Sequence, residues 1–344
     1  MALEKSILTM DSMSTLFLSD YGLHLIEYQP MNLGSANCFC VRCEEGEYFC
    51  KEFQSKITLE AVEKEAAVVS YLRSRDFPTA GFIQTKDGRS CLLHEGHVIC
   101  VQEFVDGKTH LNDLPHSILT KEAACLGRLH TLLKDCPVPL QRDMDEAWAD
   151  SISMENEKQK YMELLEYHWD QGILSPKAVR IRRDILFRID LMDIVGKYKP
   201  YFRGITYAPS HGDFTACQLI LDGDQIKAVI DFSSAAVIPI VWEIMRSYIQ
   251  SRGSFDTEDF VMYVREYMKE ASLTRRDLEA MPYVYLFQLA RSRYGYKEYL
   301  SRKAENADAL LDFAFWRTDV LRTIIMKAQS ISDACVAILD DPKT

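Results

Sequence analysis

The sequence predicts an α+β fold in two lobes, a small β-rich N-terminal lobe and a larger, mainly helical C-terminal lobe. The first ~105 residues carry the order hairpin, helix, strands, and most of the later segments show helical periodicity. A chain of 344 residues can also bury more than one core. We therefore divide the chain into an N-terminal lobe, residues 1–105, and a C-terminal lobe, residues 106–344. The cleft between two such lobes is the default ligand site.

Alternating and helical patterns define the N-terminal elements. Residues Leu33 to Phe53 form a hairpin, because "NCFCVRC" and "YFCKEF" alternate around the turn "EEGE". The apolar residues of "ITLEAVEKEAAVVSYLRSRDF" recur at helical spacing, with Thr58 as the N-cap. Three strand-like runs follow, namely "GFIQT", "SCLLHEGH" and "VICVQEFV".

The C-terminal elements are helices and one further hairpin. Amphipathic helices are predicted in "ILTKEAACLGRLHTLLKD", "SMENEKQKYMELLEYHWDQ" and "PKAVRIRRDILFRIDLMDIVGKY". We interpret the basic run "RIRRDILFR" as a solvated or salt-bridged helix face. The strands "LIL" and "IKAVIDF" flank the turn Asp222-Gly223-Asp224, and the pattern is helical again from Val241 onward.

Composition excludes some classes of function. The formal net charge of -11 argues against broad nucleic-acid binding and leans slightly toward a cationic small molecule. No apolar run approaches the ~20 residues of a membrane span, and no signal-peptide pattern is visible, so we expect a cytoplasmic protein. In that compartment the ten cysteines stay reduced. Cys40 and Cys43 have a zinc-ligand spacing but lack a second close pair, so strand packing is the favoured interpretation.

The stretch "SHGDFTACQLIL" and the strand that follows it bring together chemically active side chains. His211, Asp213, Gln218 and Asp231 lie on and beside one small hairpin. Two carboxylates facing one cleft suit phosphoryl transfer, in which one accepts the proton of the attacking hydroxyl and the other holds Mg²⁺. Aspartates at turn positions are also common, so this hairpin alone does not decide between the two interpretations.

The N-terminal lobe supplies the other parts of such a site in the expected order. Gly34 and Ser35 open the first strand, Lys51 lies in the second, and Glu65 lies in the following helix. A glycine turn that covers phosphates, a lysine that pairs with them and a helical glutamate that orients the lysine recur in kinases.

With these motifs the chain resembles the aminoglycoside phosphotransferase and choline kinase family of small-molecule kinases, which have the protein-kinase-like fold. The family's H-x-D-x-x-x-x-N loop corresponds to His211-Gly212-Asp213 followed by Gln218, and its I-D-[WF] motif to Ile230-Asp231-Phe232. Also similar are "NLGSANCFCV", "YFCKEF", "EKEAAVVSYL", the hinge-like "CVQEFVDG" and "LGRLHTL". The resemblance covers most of the chain, and the sequence departs from it by carrying Gln218 where the family has Asn.

The resemblance implies that residues 1–105 form a nucleotide-binding lobe and that residues 106–344 carry the catalytic loop and the acceptor site. It also implies a role for each candidate residue. Asp213 would be the catalytic base, and the metal would be held by Asp231 and Gln218. His211 would support the loop, and Glu243 would brace it by accepting backbone N–H groups. The ATP-binding residues would be Gly34, Ser35, Lys51, Glu65, Glu103 and Phe104, with the hinge residues acting mainly through their backbone.

The expected function is therefore ATP- and Mg²⁺-dependent phosphorylation of a hydroxyl group on an aminoglycoside, sugar, amino alcohol or homoserine-like molecule. The alternative is a catalytically weak or inactive kinase-like nucleotide-binding protein with a regulatory or scaffold role. A protein kinase is disfavoured, because the sequence has no D-F-G or A-P-E motif. We expect a monomer or homodimer whose partner is a small-molecule hydroxyl substrate, and no nucleic-acid or membrane partner.

Overall fold

The computed structural model describes residues 4–31, 36–141, 144–170, 175–302 and 306–340. Within that part of the chain, no helix is both long enough and apolar enough to cross a bilayer. The ten cysteines all lie in it, and all are free thiols, either buried or half-buried.

The N-terminal part is a five-stranded antiparallel sheet preceded by a short helix, α1 (Met10–Leu16). The strands lie in the spatial order β1-β2-β3-β5-β4. Their bounds are β1 Leu25–Met31, β2 Asn37–Cys43, β3 Gly46–Glu52, β4 Leu92–His94 and β5 His97–Glu103.

The two faces of this sheet pack against different helices. Alternate residues such as Val41 and Cys50 are buried together with Met13 of α1. Because side chains alternate along a strand, their neighbours point to the opposite face. There Cys38 and Cys100 flank Lys51 in register and pack toward the second helix, α2 (Leu59–Arg73).

The predicted hairpin and the predicted helix are both present. The strands β2 and β3 pair around the predicted turn, and the Thr58 side chain caps α2 by accepting a hydrogen bond from Ala61 N–H at 3.3 Å. The run "GFIQT" is not a strand, because it makes only the isolated bridge Phe82↔Gln102 beside β5 before the chain turns away. The sequence interpretation also missed α1 and β1.

The helices of the C-terminal part agree with the predicted segments and dominate it. Most of the large core, which also takes in Val68 and Leu72 of α2, lies among them. Their bounds are α3 His116–Leu133, α4 Trp148–Ser151, α5 Met154–Asp170, α6 Pro176–Val195, α7 Ile240–Arg252, α8 Thr257–Met268, α9 Arg275–Arg291, α10 Tyr294–Lys297 and α11 Ala307–Val336.

Two small hairpin-like pairs lie between α6 and α7. One pairs β6 (Tyr207–Ser210) with β9 (Ala236–Pro239), and the other pairs β7 (Leu219–Asp222) with β8 (Gln225–Val229). The segment that joins β6 to β7 carries the predicted catalytic loop. The isolated bridge between Thr79 and Val229 ties this region to the N-terminal part.

Candidate active site

The loop after β6 turns sharply at Gly212. This residue has φ = +82°, and a Cβ placed there would lie 2.1 Å from the carbonyl oxygen of Ser234. Only glycine combines that backbone conformation with so close an approach. The loop is therefore held directly against the turn Phe232–Ser234, which follows Asp231.

A buried carboxylate supports the loop from behind. Glu243, in the first turn of α7, accepts hydrogen bonds from the backbone N–H of His211 at 3.1 Å and of Gly212 at 2.5 Å. Its Oε2 also lies 2.9 Å from Nε2 of His130, whose Nδ1 lies 2.8 Å from the Tyr267 hydroxyl. Although burial acts to raise the pKa of Glu243, the hydrogen bond with His130 holds that pKa below its ordinary value. Glu243 is thus a fixed anion that organises the loop.

Both ring nitrogens of His211 form hydrogen bonds with the backbone of the protein. Its Nε2 lies 3.0 Å from the Ile230 carbonyl oxygen, and its Nδ1 accepts the Asp213 N–H at 3.2 Å. Since a carbonyl can only accept, the neutral tautomer with its proton on Nε2 satisfies both bonds. His211 is buried and bridges the loop to the residue before Asp231.

Asp213 lies on the loop with two side-chain partners. Arg246 of α7 forms an ion pair with its Oδ1, and Gln218 donates from Nε2 to its Oδ2 at 3.2 Å. The backbone of Gln218 accepts the Ile230 N–H at 2.9 Å, which places the loop beside the strand that leads to Asp231. The amide of Gln218 therefore contacts the predicted base.

Asp231 has a left-handed backbone, φ = +65°, a conformation rare for residues other than glycine and found disproportionately at functional sites. Its Oδ1 lies 3.6 Å from Nζ of Lys51 and accepts a hydrogen bond from the Ser233 hydroxyl at 2.8 Å. Burial acts to raise the pKa of Asp231, but the charge of Lys51 and the Ser233 hydrogen bond keep it below the ordinary value. Asp231 is therefore ionised next to a cation.

Glu65 influences Lys51 without forming the direct ion pair that the resemblance implies. No ion pair within 4 Å joins these two described residues; Lys51 lies beside Asp231 instead. Burial acts to lower the pKa of Lys51, yet the nearby carboxylates of Glu65 and Asp231 raise it. Burial also raises the pKa of Glu65, whose Oε1 has no hydrogen-bond partner among the described residues.

The hinge residues lie at the end of β5. The Glu103 side chain is held by Arg73, with N–O distances of 2.5 and 2.8 Å, and its N–H donates to the Gly81 carbonyl at 2.8 Å. Any contact of Glu103 with a ligand through its main chain is thus left to its carbonyl group. Phe104 follows it, half-buried, while Gly34 and Ser35 lie outside the described residues.

The sequence interpretation missed Arg246, the ion-pair partner of Asp213. A signal was present, because Glu243 and Arg246 are three residues apart on one helix and therefore share a face. Arg246 also lies over the Trp242 ring, 5.3 Å from its centroid.

A cavity of about 310 Å³ opens beside this ion pair, between α7, α9 and α11. Arg246, Trp242, Gln250, Tyr285 and Arg317 are among its lining residues. A larger depression of about 500 Å³ lies between α1 and β4, but none of the candidate site residues lines it.

The N-terminal part is β-rich and carries the lysine on strand β3, and the C-terminal part is mainly helical and carries the two aspartates on short loops. These features define a protein of the kinase-like fold. The chain belongs to the phosphotransferase enzyme family, whose model matches residues 27–281. The predicted family, fold class and enzyme class, a phosphotransferase with an alcohol group as acceptor, are thereby confirmed.

Solved structures share this fold, and a curated relative is similar in sequence. A spectinomycin phosphotransferase, crystallised with ADP and spectinomycin, aligns with 13% identity over 98% of this chain and 100% of its own, with a TM-score of 0.63. An amicoumacin kinase in complex with AMP-PNP and Ca²⁺ aligns with 15% identity over 92% of this chain and 94% of its own, also with a TM-score of 0.63. The homoserine kinase of Zymomonas mobilis subsp. mobilis is 21% identical over 68% of each chain.

Proposed function

We propose that this phosphotransferase uses ATP and Mg²⁺ to phosphorylate a hydroxyl group of a small molecule, with Asp213 as the catalytic base. The observation that carries the proposal is the arrangement at the loop. The ionised Asp231 lies beside Lys51, and Asp213 lies on the glycine-turned loop packed against the segment that follows Asp231. Nucleotide and a divalent cation accompany this fold in the amicoumacin kinase complex.

The residues present fit a nucleotide-bound cation. The described residues contain no group of three or more His, Cys, Asp or Glu side chains placed to hold a metal by themselves. Mg²⁺ in kinases is bound by one or two carboxylates together with the substrate phosphates, so such a group is not required. Asp231 would hold the ion, with Gln218 as a second oxygen ligand, and Lys51 would meet the phosphates. When bound, the ion would neutralise the negative charge that develops on the phosphoryl oxygens.

The remaining chemistry belongs to the chain itself. Asp213 Oδ2 accepts the Gln218 amide and Oδ1 pairs with Arg246, so the carboxylate is held in one orientation toward an acceptor hydroxyl. In that position it would orient the hydroxyl and receive its proton. Glu243 keeps the loop in place without contacting either substrate. On the nucleotide side, Glu65 would orient Lys51, Gly34 and Ser35 would cover the phosphates, and Glu103 and Phe104 would meet adenine through their main chain.

Two substitutions test the assignment separately. Asp213→Asn keeps the shape but removes the base, so we expect turnover to fall by about 10²–10⁴-fold while nucleotide binding persists. Asp231→Asn should instead abolish the Mg²⁺ dependence of nucleotide binding, measured by thermal shift with AMP-PNP. The exposed Asp11→Asn variant on α1 is the matched control and should behave like the wild type. Full activity of Asp213→Asn, or nucleotide stabilisation that ignores Mg²⁺ in the wild type, would refute the proposal.

A further inference from the structure

The cavity beside Asp213 is positively charged. Three arginines, Arg246, Arg291 and Arg317, line it, and no aspartate or glutamate is among its described lining residues. Neither Lys51 nor Asp231, the residues proposed to face the nucleotide, lines this cavity, and Arg246 connects it to Asp213. The charge of the cavity has the opposite sign from what a cationic acceptor requires.

Arg317 has no anionic partner among the residues that the structure describes. It is half-buried on α11, and no carboxylate in the described parts of the chain lies within 4 Å of it. Its guanidinium carbon lies 5.5 Å from the centroid of the Phe313 ring. Desolvation, together with the neighbouring charges of Arg188 and Arg246, lowers the pKa of Arg317 to about 10. A cation held out of water beside two other cations costs free energy unless it is used to bind an anion.

The surrounding charges add to this excess. Arg188 is fully buried and donates hydrogen bonds to the carbonyl oxygens of Leu289 and Ala290 at 2.8 and 3.1 Å. Its guanidinium group thereby places a positive charge at the C-terminal end of α9. Arg291 and Lys160 both lie near the carboxylate of Glu157. The distance from Nε of Arg291 to Oε2 of Glu157 is 3.7 Å, and the distance from Nζ of Lys160 to Oε1 is 2.7 Å. Because Glu157 is shared between two cations, it offsets the charge of Arg291 only in part.

Aromatic rings hold two of the arginines in place. The guanidinium of Arg291 lies 5.0 Å from the Trp148 ring centroid, and Arg246 lies 5.3 Å from that of Trp242. Stacked, preorganised guanidinium groups favour carboxylates and phosphates, which they bind through paired hydrogen bonds. The volume of about 310 Å³ is at the small end of ligand pockets and suits a small acceptor.

We propose that the acceptor carries an oxyanion, either a carboxylate or a phosphate, beside its reacting hydroxyl, and that Arg317 binds this group together with Arg246 and Arg291. The inference rests on the proposed function, because it takes the cavity beside Asp213 as the acceptor site. Arg246 connects the cavity to the proposed base, because it forms the ion pair with Asp213 and also lines the cavity. An oxyanion bound there would bring its hydroxyl toward Asp213.

Binding rather than turnover provides the first test. The wild type, saturated with AMP-PNP and Mg²⁺ to fill the nucleotide side, is titrated calorimetrically with matched pairs: D-glycerate and glycerol, and glucose 6-phosphate and glucose. We expect at least one acid to bind tenfold or more tightly than its neutral match, because charge-assisted bonds to arginine are lost in the neutral compound. The pair that shows the preference distinguishes a carboxylate from a phosphate.

Substitution of Arg317 provides the second test. Arg317→Gln should remove the preference for the acid, and the exposed Arg42→Gln variant on β2 should retain it. A structural role would instead lower the thermal stability of Arg317→Gln, whereas loss of an uncompensated cation should leave it unchanged or raised. Equal binding of acid and neutral compound in every pair, or a preference that survives Arg317→Gln, would overturn the inference. Since these assays need no turnover, an inactive Asp213 would not affect their result.

Discussion

Glu243→Gln is the substitution whose effect the structure determines most directly. The two backbone N–H groups of the loop use different oxygens of this carboxylate, His211 at 3.1 Å and Gly212 at 2.5 Å. Glutamine has one acceptor oxygen and one NH₂ group, so either orientation leaves one N–H facing a donor. His130 can adapt by exchanging tautomers, because its other partner is the Tyr267 hydroxyl, which can donate or accept.

The expected loss of stability follows from the hydrogen bonds that the substitution removes. One charge-assisted hydrogen bond is lost and one buried N–H is left unsatisfied, which together should reduce the free energy of unfolding by about 2–3 kcal/mol. If the loop shifts to relieve the unsatisfied group, Asp213 moves with it, and turnover should fall by roughly 30- to 100-fold. The pKa of Glu243 is below its ordinary value of 4.5, so its contribution to stability is present above about pH 4.5 and is lost as the pH falls below that value.

Urea unfolding at neutral pH and at pH 4 measures the first effect, and steady-state kinetics measure the second. The matched control is Glu163→Gln, an exposed position on α5. A loss of less than about 1 kcal/mol together with unchanged turnover would refute the view that this carboxylate organises the loop.

Three further substitutions have definite expected outcomes. Gly212→Ala places a Cβ 2.1 Å from the Ser234 carbonyl oxygen at φ = +82°, so we expect it to lower stability in urea by more than about 2 kcal/mol; an effect under about 1 kcal/mol would contradict this. Burial raises the pKa of Glu122 from 4.5 to about 7, so the folded state binds more protons and its stability falls as the pH rises through that window. Glu122→Gln should remove up to about 3 kcal/mol of this dependence, measured as the difference in unfolding between pH 5 and pH 8, and equal slopes in variant and wild type would refute it. Gln218→Asn shortens the side chain whose amide N–H reaches Asp213, so loss of that hydrogen bond should lower turnover about tenfold; unchanged or higher turnover would show that this bond does not help to hold the base.

The parts of the site that the sequence predicted are carried by local patterns. The alternation in β3 places Lys51 on one face of the sheet, and the hairpin of β7 and β8 brings the loop near Asp231 without any distant contact. The order of these motifs along the chain was sufficient for the family and the fold class. The division at residue 105 and the individual roles of the site residues stay predictions.

What the sequence could not show depends on contacts between distant segments. The run "RIRRDILFR" has the charge spacing of a solvated helix face, yet Arg188 within it is fully buried, because carbonyl groups about 100 positions further along the chain accept its hydrogen bonds. The strand β1 was missed for a similar reason. It contains Pro30, lies at the sheet edge and is largely exposed, so it lacks the alternation that marks a half-buried strand.

If the cavity beside Asp213 holds the acceptor, as proposed, its arginines are a better guide to the charge of the acceptor than the net charge of -11, which has the opposite sign. Net charge sums side chains that are spread over the whole surface, and salt screens those more than about 8–10 Å from the ligand. A ligand bound in the cavity would contact Arg246, Arg291 and Arg317 directly, and desolvation would strengthen those interactions. Asp213, the carboxylate proposed as the catalytic base, is already paired with Arg246. A cationic acceptor would have to bring its charge into this set of arginines, whereas an anionic one would relieve their mutual repulsion as it binds.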